Sequence, residues 1–73
     1  MSAQKGFKNA AEITLALTEE IGEVAQEVAL LERIGSKANW AKAGDREQLR
    51  TEISHAMNCL RALEEFYDLE RPQ

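Results

Sequence analysis

Carboxylates dominate the chemistry this chain can do. Glu19, Glu20, Glu23 and Glu27 follow one another closely, and Glu52 is followed by His55 and Cys59 at steps of three and four. On a helix, such spacings project side chains from one side. Clustered carboxylates repel one another and are favoured when a divalent cation sits between them. Oxygen ligands suit Mg²⁺, which keeps waters and phosphate oxygens in its shell. A solvated acidic helix face is the competing reading, because glutamate is a good helix former. Between the two acidic groups lie Lys37, Asn39, Trp40 and Lys42. Lysines meet phosphates and an indole stacks on a base, so Lys37, Trp40 and Lys42 are candidate substrate contacts. The alternative is that Trp40 folds back as a plug for the core while the lysines stay solvated.

Two elements must position these groups. Ala10, Ile13, Leu17, Ile21, Val24, Val28 and Leu31 recur at steps of three and four, which predicts a helix over 10–34. Asn9 with Glu12 reads as its N-terminal cap, and Gly35 stands where a left-handed C-cap belongs. Leu49, Ile53, Ala56, Leu60, Leu63 and Tyr67 predict a second helix over 46–69. Asp45 with Gln48 reads as its cap, and Pro72 lies beyond its end. The connector is 35–44. On a helical wheel the first stripe centres near Leu17, Val24 and Val28, with Glu20, Glu23 and Glu27 along one edge. Glu52 borders the second stripe. Ala11, Leu15, Ala25 and Ala29 make another small-residue stripe, and Met57 and Phe66 lie off the main line.

The 73 residues make one domain, 1–73, with 44% hydrophobic, 30% charged and 5% aromatic residues. The core is therefore mainly aliphatic. The single cysteine excludes an intramolecular disulfide framework. A chain this short buries only about 60% of its unfolded surface and needs support from outside itself. The expected fold is all-α: two long helices in a hairpin, self-associating into a four-helix bundle as a homodimer or homotetramer. The net charge of −4 argues against a nucleic-acid polymer as partner. Six glutamates and no lysine or arginine occupy 9–32, whereas 33–50 holds five basic residues. Such a division suits either a cation or an anionic ligand with its counter-ion. No apolar run reaches membrane-spanning length, and Met1 to Asn9 lacks the apolar stretch of a signal peptide, so the expected location is cytoplasmic with no membrane partner.

Leu17-Thr18-Glu19-Glu20-Ile21-Gly22-Glu23-Val24 resembles the EExxE segment of the MazG-like, all-α nucleoside triphosphate pyrophosphohydrolases. Leu49 to Leu60 resembles the family's second segment, ExxD, with Glu52 in the glutamate position. The resemblance spans Lys8 to Phe66. It implies hydrolysis of a nucleoside triphosphate or related nucleotide to monophosphate and pyrophosphate. It also implies Mg²⁺, with Mn²⁺ as the second choice, and oligomers with sites at helix interfaces. Carried over by position, Glu19, Glu20, Glu23 and Glu52 bind the metal or orient the attacking water, Glu19 and Glu20 being the catalytic pair. His55 stands where the family has its aspartate, making Glu20, Glu23, Glu52 and His55 the implied metal set. That departure removes a negative charge, and imidazole suits Zn²⁺, Mn²⁺-like ions or Ni²⁺ better than Mg²⁺. A degenerate bundle that binds nucleotide, metal or a protein without turnover is the alternative function.

Overall fold

The computed structural model describes residues 6–69. Two α-helices carry the fold, α1 (Ala10–Glu32) and α2 (Arg46–Phe66), with a short 3₁₀ turn at Gly35–Lys37 between them. No strand occurs among the described residues. Pro72, the expected stop after the second helix, lies outside them.

Local chemistry sets the ends of each helix. The Asn9 side chain accepts the Glu12 amide at 2.9 Å, and Glu12 Oε1 accepts the Lys8 amide at 2.9 Å. This reciprocal arrangement satisfies two amides that have no partner within the helix. At α2, Asp45 caps by accepting the Glu47 amide at 2.9 Å. The expected capping partner, Gln48, is used elsewhere: its amide donates to Glu52 Oε2 at 2.8 Å. α1 ends two residues earlier than the apolar stripe suggests. Arg33, not Gly35, is the C-cap, in the left-handed region at φ 55. Such a conformation costs a non-glycine residue about 1 kcal/mol. Its guanidinium donates to the Trp40 carbonyl, tying the connector to the helix end. Gly35, at φ 58, provides a second left-handed turn that opens the 3₁₀ segment. α2 stops at Phe66 rather than 69, because Asp68 turns left-handed and the Leu69 amide returns to the Glu64 carbonyl at 2.8 Å.

The helices pack side by side and antiparallel, since Gly44 approaches Leu31, Asp45 meets Glu27 and His55 meets Glu20. The closest approach is at Gly44. A Cβ there would lie 2.5 Å from the Leu31 backbone nitrogen and 2.8 Å from its Cα. Only glycine fits without moving backbone. Gly44→Ala is therefore expected to lower stability by roughly 2 kcal/mol, the scale of overpacking. Gly22 has nothing within 4 Å of such an atom. Gly22→Ala should instead gain up to about 1 kcal/mol from helix propensity. Thermal melting of both variants checks the pair, and a shift of the same sign in each would contradict this packing.

The seam differs from the wheel. Its buried apolar members are Ile13, Leu30, Ala56 and Ala62, and Glu27 and Glu52 are buried with them. Val28, expected near the centre, is 37% exposed, and Ile53 and Leu60 are 42% and 49% exposed. Glu27 and Glu52 therefore lie inside the seam rather than along its border, while Glu23 is exposed. The reason is that a broad apolar arc has two flanks and a two-helix hairpin covers one. Small Ala56 and Ala62 and the Gly44 contact let the helices close on the carboxylate flank. Leu15 and Met57, from the additional stripes, stay exposed, and Phe66 is half-buried.

In antiparallel helices, residues rotated the same way from the seam fall on the same face. Ile21 and Val28 of α1 thus share a face with Ile53, Met57 and Leu60 of α2. The acidic groups and connector take the opposite face. The Cα radius of gyration is 14.8 Å, with extents of 44 × 27 × 19 Å. A compact chain of this length would measure about 11 Å. No described helix is long and apolar enough to cross a membrane.

Candidate metal centre

Glu20 reaches the seam from the middle of α1. Glu52 and His55, three residues apart on α2, reach it from the other side. His55 Nδ1 lies 3.5 Å from Glu20 Oε1 and 3.5 Å from Glu52 Oε1. Ligand atoms of the three residues all lie within 4.8 Å of one another. The two carboxylate oxygens facing the imidazole are buried and have no hydrogen-bond donor. Buried acceptors are normally satisfied, and an unmet charged one is costly. Glu52 is 8% exposed, and its other oxygen accepts the Gln48 amide. Two buried carboxylate oxygens converging without a donor have the character of a cation site.

Glu23 adjoins this group through Glu52. Its carboxyl is held above the ordinary carboxylate range. Its hydrogen bond with Glu52 is the largest cause, the charges of Glu52 and Glu20 add to it, and His55 opposes it. Glu27 has a different task. Its Oε2 accepts the Asp45 amide at 2.8 Å, so this buried carboxylate ties the start of α2 to α1. Glu19 is exposed and not one of the three converging residues. Cys59, one turn after His55, is half-buried; burial foremost, then the charge of Glu20, pushes its thiol up. A ligating thiolate needs the reverse.

Beside the centre is a cleft of about 440 Å³. Glu23, Glu27 and Glu52 line one side; Lys37, Trp40 and Lys42 of the connector line the other. Small-molecule sites usually occupy about 300–1,000 Å³. Trp40 does not plug the core: it is 49% exposed, with Lys37 Nζ 3.2 Å from its ring centroid. The ammonium over the indole face restrains both side chains at the cleft wall. A larger depression, about 660 Å³, runs along the opposite face of α2 between Arg46 and Met57. Its apolar lining includes Leu49, Ile53 and Met57.

No family model matches this chain, and neither curated proteins nor solved structures provide a match.

Three features of the site have no counterpart in the sequence reading: the Glu27 tie, the Gln48 support of Glu52, and the close approach at Gly44. The first two join residues by hydrogen bonds whose partners are not set by helix periodicity. Gly44 carried the only local signal, a glycine just before a cap residue.

Proposed function

We propose that this protein is a MazG-like nucleotide pyrophosphohydrolase, converting a nucleoside triphosphate or related nucleotide to monophosphate and pyrophosphate. The observation that carries this reading is the shared cleft, in which carboxylates of both helices face the lysines and indole of the connector. A triphosphate with its cation needs both kinds of wall: acidic oxygens for the metal and ammonium groups for the phosphates. The family resemblance of Glu19, Glu20, Glu23 and Glu52 points the same way.

Glu20, Glu52 and His55 hold the divalent cation, for which the two buried, donor-less oxygens are suited. The resemblance implies Mg²⁺ or Mn²⁺. When bound, such an ion neutralises phosphate charge and orients the reacting groups. Lys37 and Lys42 offset the remaining phosphate charge, and Trp40 offers its face to the base. Glu23, which lines the cleft next to Glu52, is the residue best suited by position to take a proton from the attacking water. Glu19, which the resemblance pairs with Glu20, adds negative charge on the adjoining helix surface.

The hairpin leaves Ile21, Val28, Ile53, Met57 and Leu60 uncovered on the face opposite the cleft. Two hairpins joining through that face make a four-helix bundle, as dimer or tetramer, and leave the cleft open. A nucleoside triphosphate substrate places the activity in the cytoplasm.

The test is pyrophosphate and monophosphate release from a panel of ribo- and deoxyribonucleoside triphosphates, with Mg²⁺ and then Mn²⁺. Stoichiometric release of both products is expected. Nucleotide binding without release would instead support the degenerate-bundle reading, which His55 in the acidic cluster favours. Neither binding nor release would overturn both.

A further inference from the structure

We propose that Glu20, Glu52 and His55 form a mixed nitrogen–oxygen centre selective for a tetrahedral ion of the zinc class over Mg²⁺. The inference rests on the metal site of the preceding reading and is independent of nucleotide turnover.

The first argument is donor chemistry. Two carboxylate oxygens and one imidazole nitrogen suit a borderline divalent ion, whereas Mg²⁺ prefers oxygen throughout. The second is spacing. Bonds of about 2.0–2.2 Å in a tetrahedron separate neighbouring donors by about 3.4 Å. An octahedral Mg²⁺ shell, with bonds of 2.0–2.1 Å, brings adjacent donors to about 2.9 Å. His55 Nδ1 stands 3.5 Å from each of its two carboxylate oxygens, nearer the tetrahedral edge than the octahedral one, and the three ligand atoms lie within 4.8 Å of one another. The third is burial. Glu52 is 8% exposed, and its Oε1, like Glu20 Oε1, has no hydrogen-bond donor while facing Nδ1. An ion among the three atoms would satisfy both oxygens at once. Helix geometry supports the arrangement, because Glu52 and His55 are one turn apart on a rigid element. Three protein donors leave a fourth position for water or substrate, as in catalytic zinc sites.

His55 is the chain's single histidine, so its ring nitrogens give an unambiguous signal. In ¹⁵N NMR of the full chain, one equivalent of Zn²⁺ should move the Nδ1 resonance, and a large excess of Mg²⁺ should leave it in place. Co²⁺ in the same site should give the intense visible absorption of tetrahedral coordination. His55→Asp should weaken Zn²⁺ binding by about tenfold or more and strengthen Mg²⁺ binding. An unmoved Nδ1 signal, equal affinities for Zn²⁺ and Mg²⁺, or an unchanged preference in His55→Asp would each overturn the assignment. Pyrophosphate release with an unmoved Nδ1 would remove this inference and keep the hydrolase. A Zn²⁺-shifted Nδ1 without release under any ion would do the opposite.

Discussion

Glu52→Gln should raise the melting temperature of the metal-free protein while abolishing its response to divalent cations. Glu52 is buried against Glu20 and His55, and Glu23 adjoins it. Without a cation, its charge is repelled by the neighbouring carboxylates and lacks water. Glutamine keeps the shape, and its carbonyl can still accept the Gln48 amide seen at 2.8 Å. Removing the charge should therefore stabilise the cation-free fold by about 1 kcal/mol, or roughly 5 °C for a chain of this size. The parent should gain stability on adding metal, because an ion bound only by the folded state shifts the equilibrium by mass action. The variant should not, and any pyrophosphohydrolase activity should fall by at least about 100-fold. Glu20→Gln together with Glu23→Gln should also abolish the metal response. Glu27→Gln is the contrasting control. Its carboxylate is satisfied by the Asp45 amide, so the substitution should lower stability by about 1–2 kcal/mol and leave the metal-induced rise in place. Calorimetric or fluorescence melting with and without metal checks both. A destabilised Glu52→Gln that still responds to metal would place the ion elsewhere.

The second large effect is expected on assembly. Ile21 is 52% exposed, Ile53 42%, Met57 46% and Leu60 49%, all on one face of the hairpin. Covering the remaining surface of such side chains contributes on the order of 1 kcal/mol each. The elongated hairpin has few buried side chains of its own, so a second copy would provide much of its stability. Light scattering of the parent at micromolar concentration should therefore give a multiple of 8.2 kDa. Its melting temperature should rise with protein concentration, as mass action requires. A Met57→Glu, Leu60→Lys double variant places charges in the middle of that face. It should lose the oligomer, and its melting should fall and cease to depend on concentration. A parent that scatters as an 8.2 kDa monomer would dispose of the bundle. A double variant that keeps the parent's mass would show that the chains join through another face.

The helices were legible because their signals are local. Asn9 with Glu12, Asp45 before Arg46, and apolar steps of three and four depend on neighbours within a turn or two, so the starts of α1 and α2 match the sequence reading. Their ends match less well, because Arg33 and Asp68 adopt left-handed conformations that composition does not favour. The grouping of Glu20 with Glu52 and His55 was partly legible, since helical spacing puts these residues beside the apolar stripes. Their depth was not. Each stripe is wide enough for several rotations about its axis, and the wheel placed Val28 where the packed hairpin buries Glu27 and Glu52. That rotation depends on residues far apart in the chain: Gly44 against Leu31, Asp45 on Glu27, and the small surfaces of Ala56 and Ala62. The connector's composition likewise showed that Lys37, Trp40 and Lys42 were suited to an anionic ligand. Only the tertiary fold brought them across from the carboxylates, because periodicity describes one helix at a time and carries no term for how two helices turn toward each other.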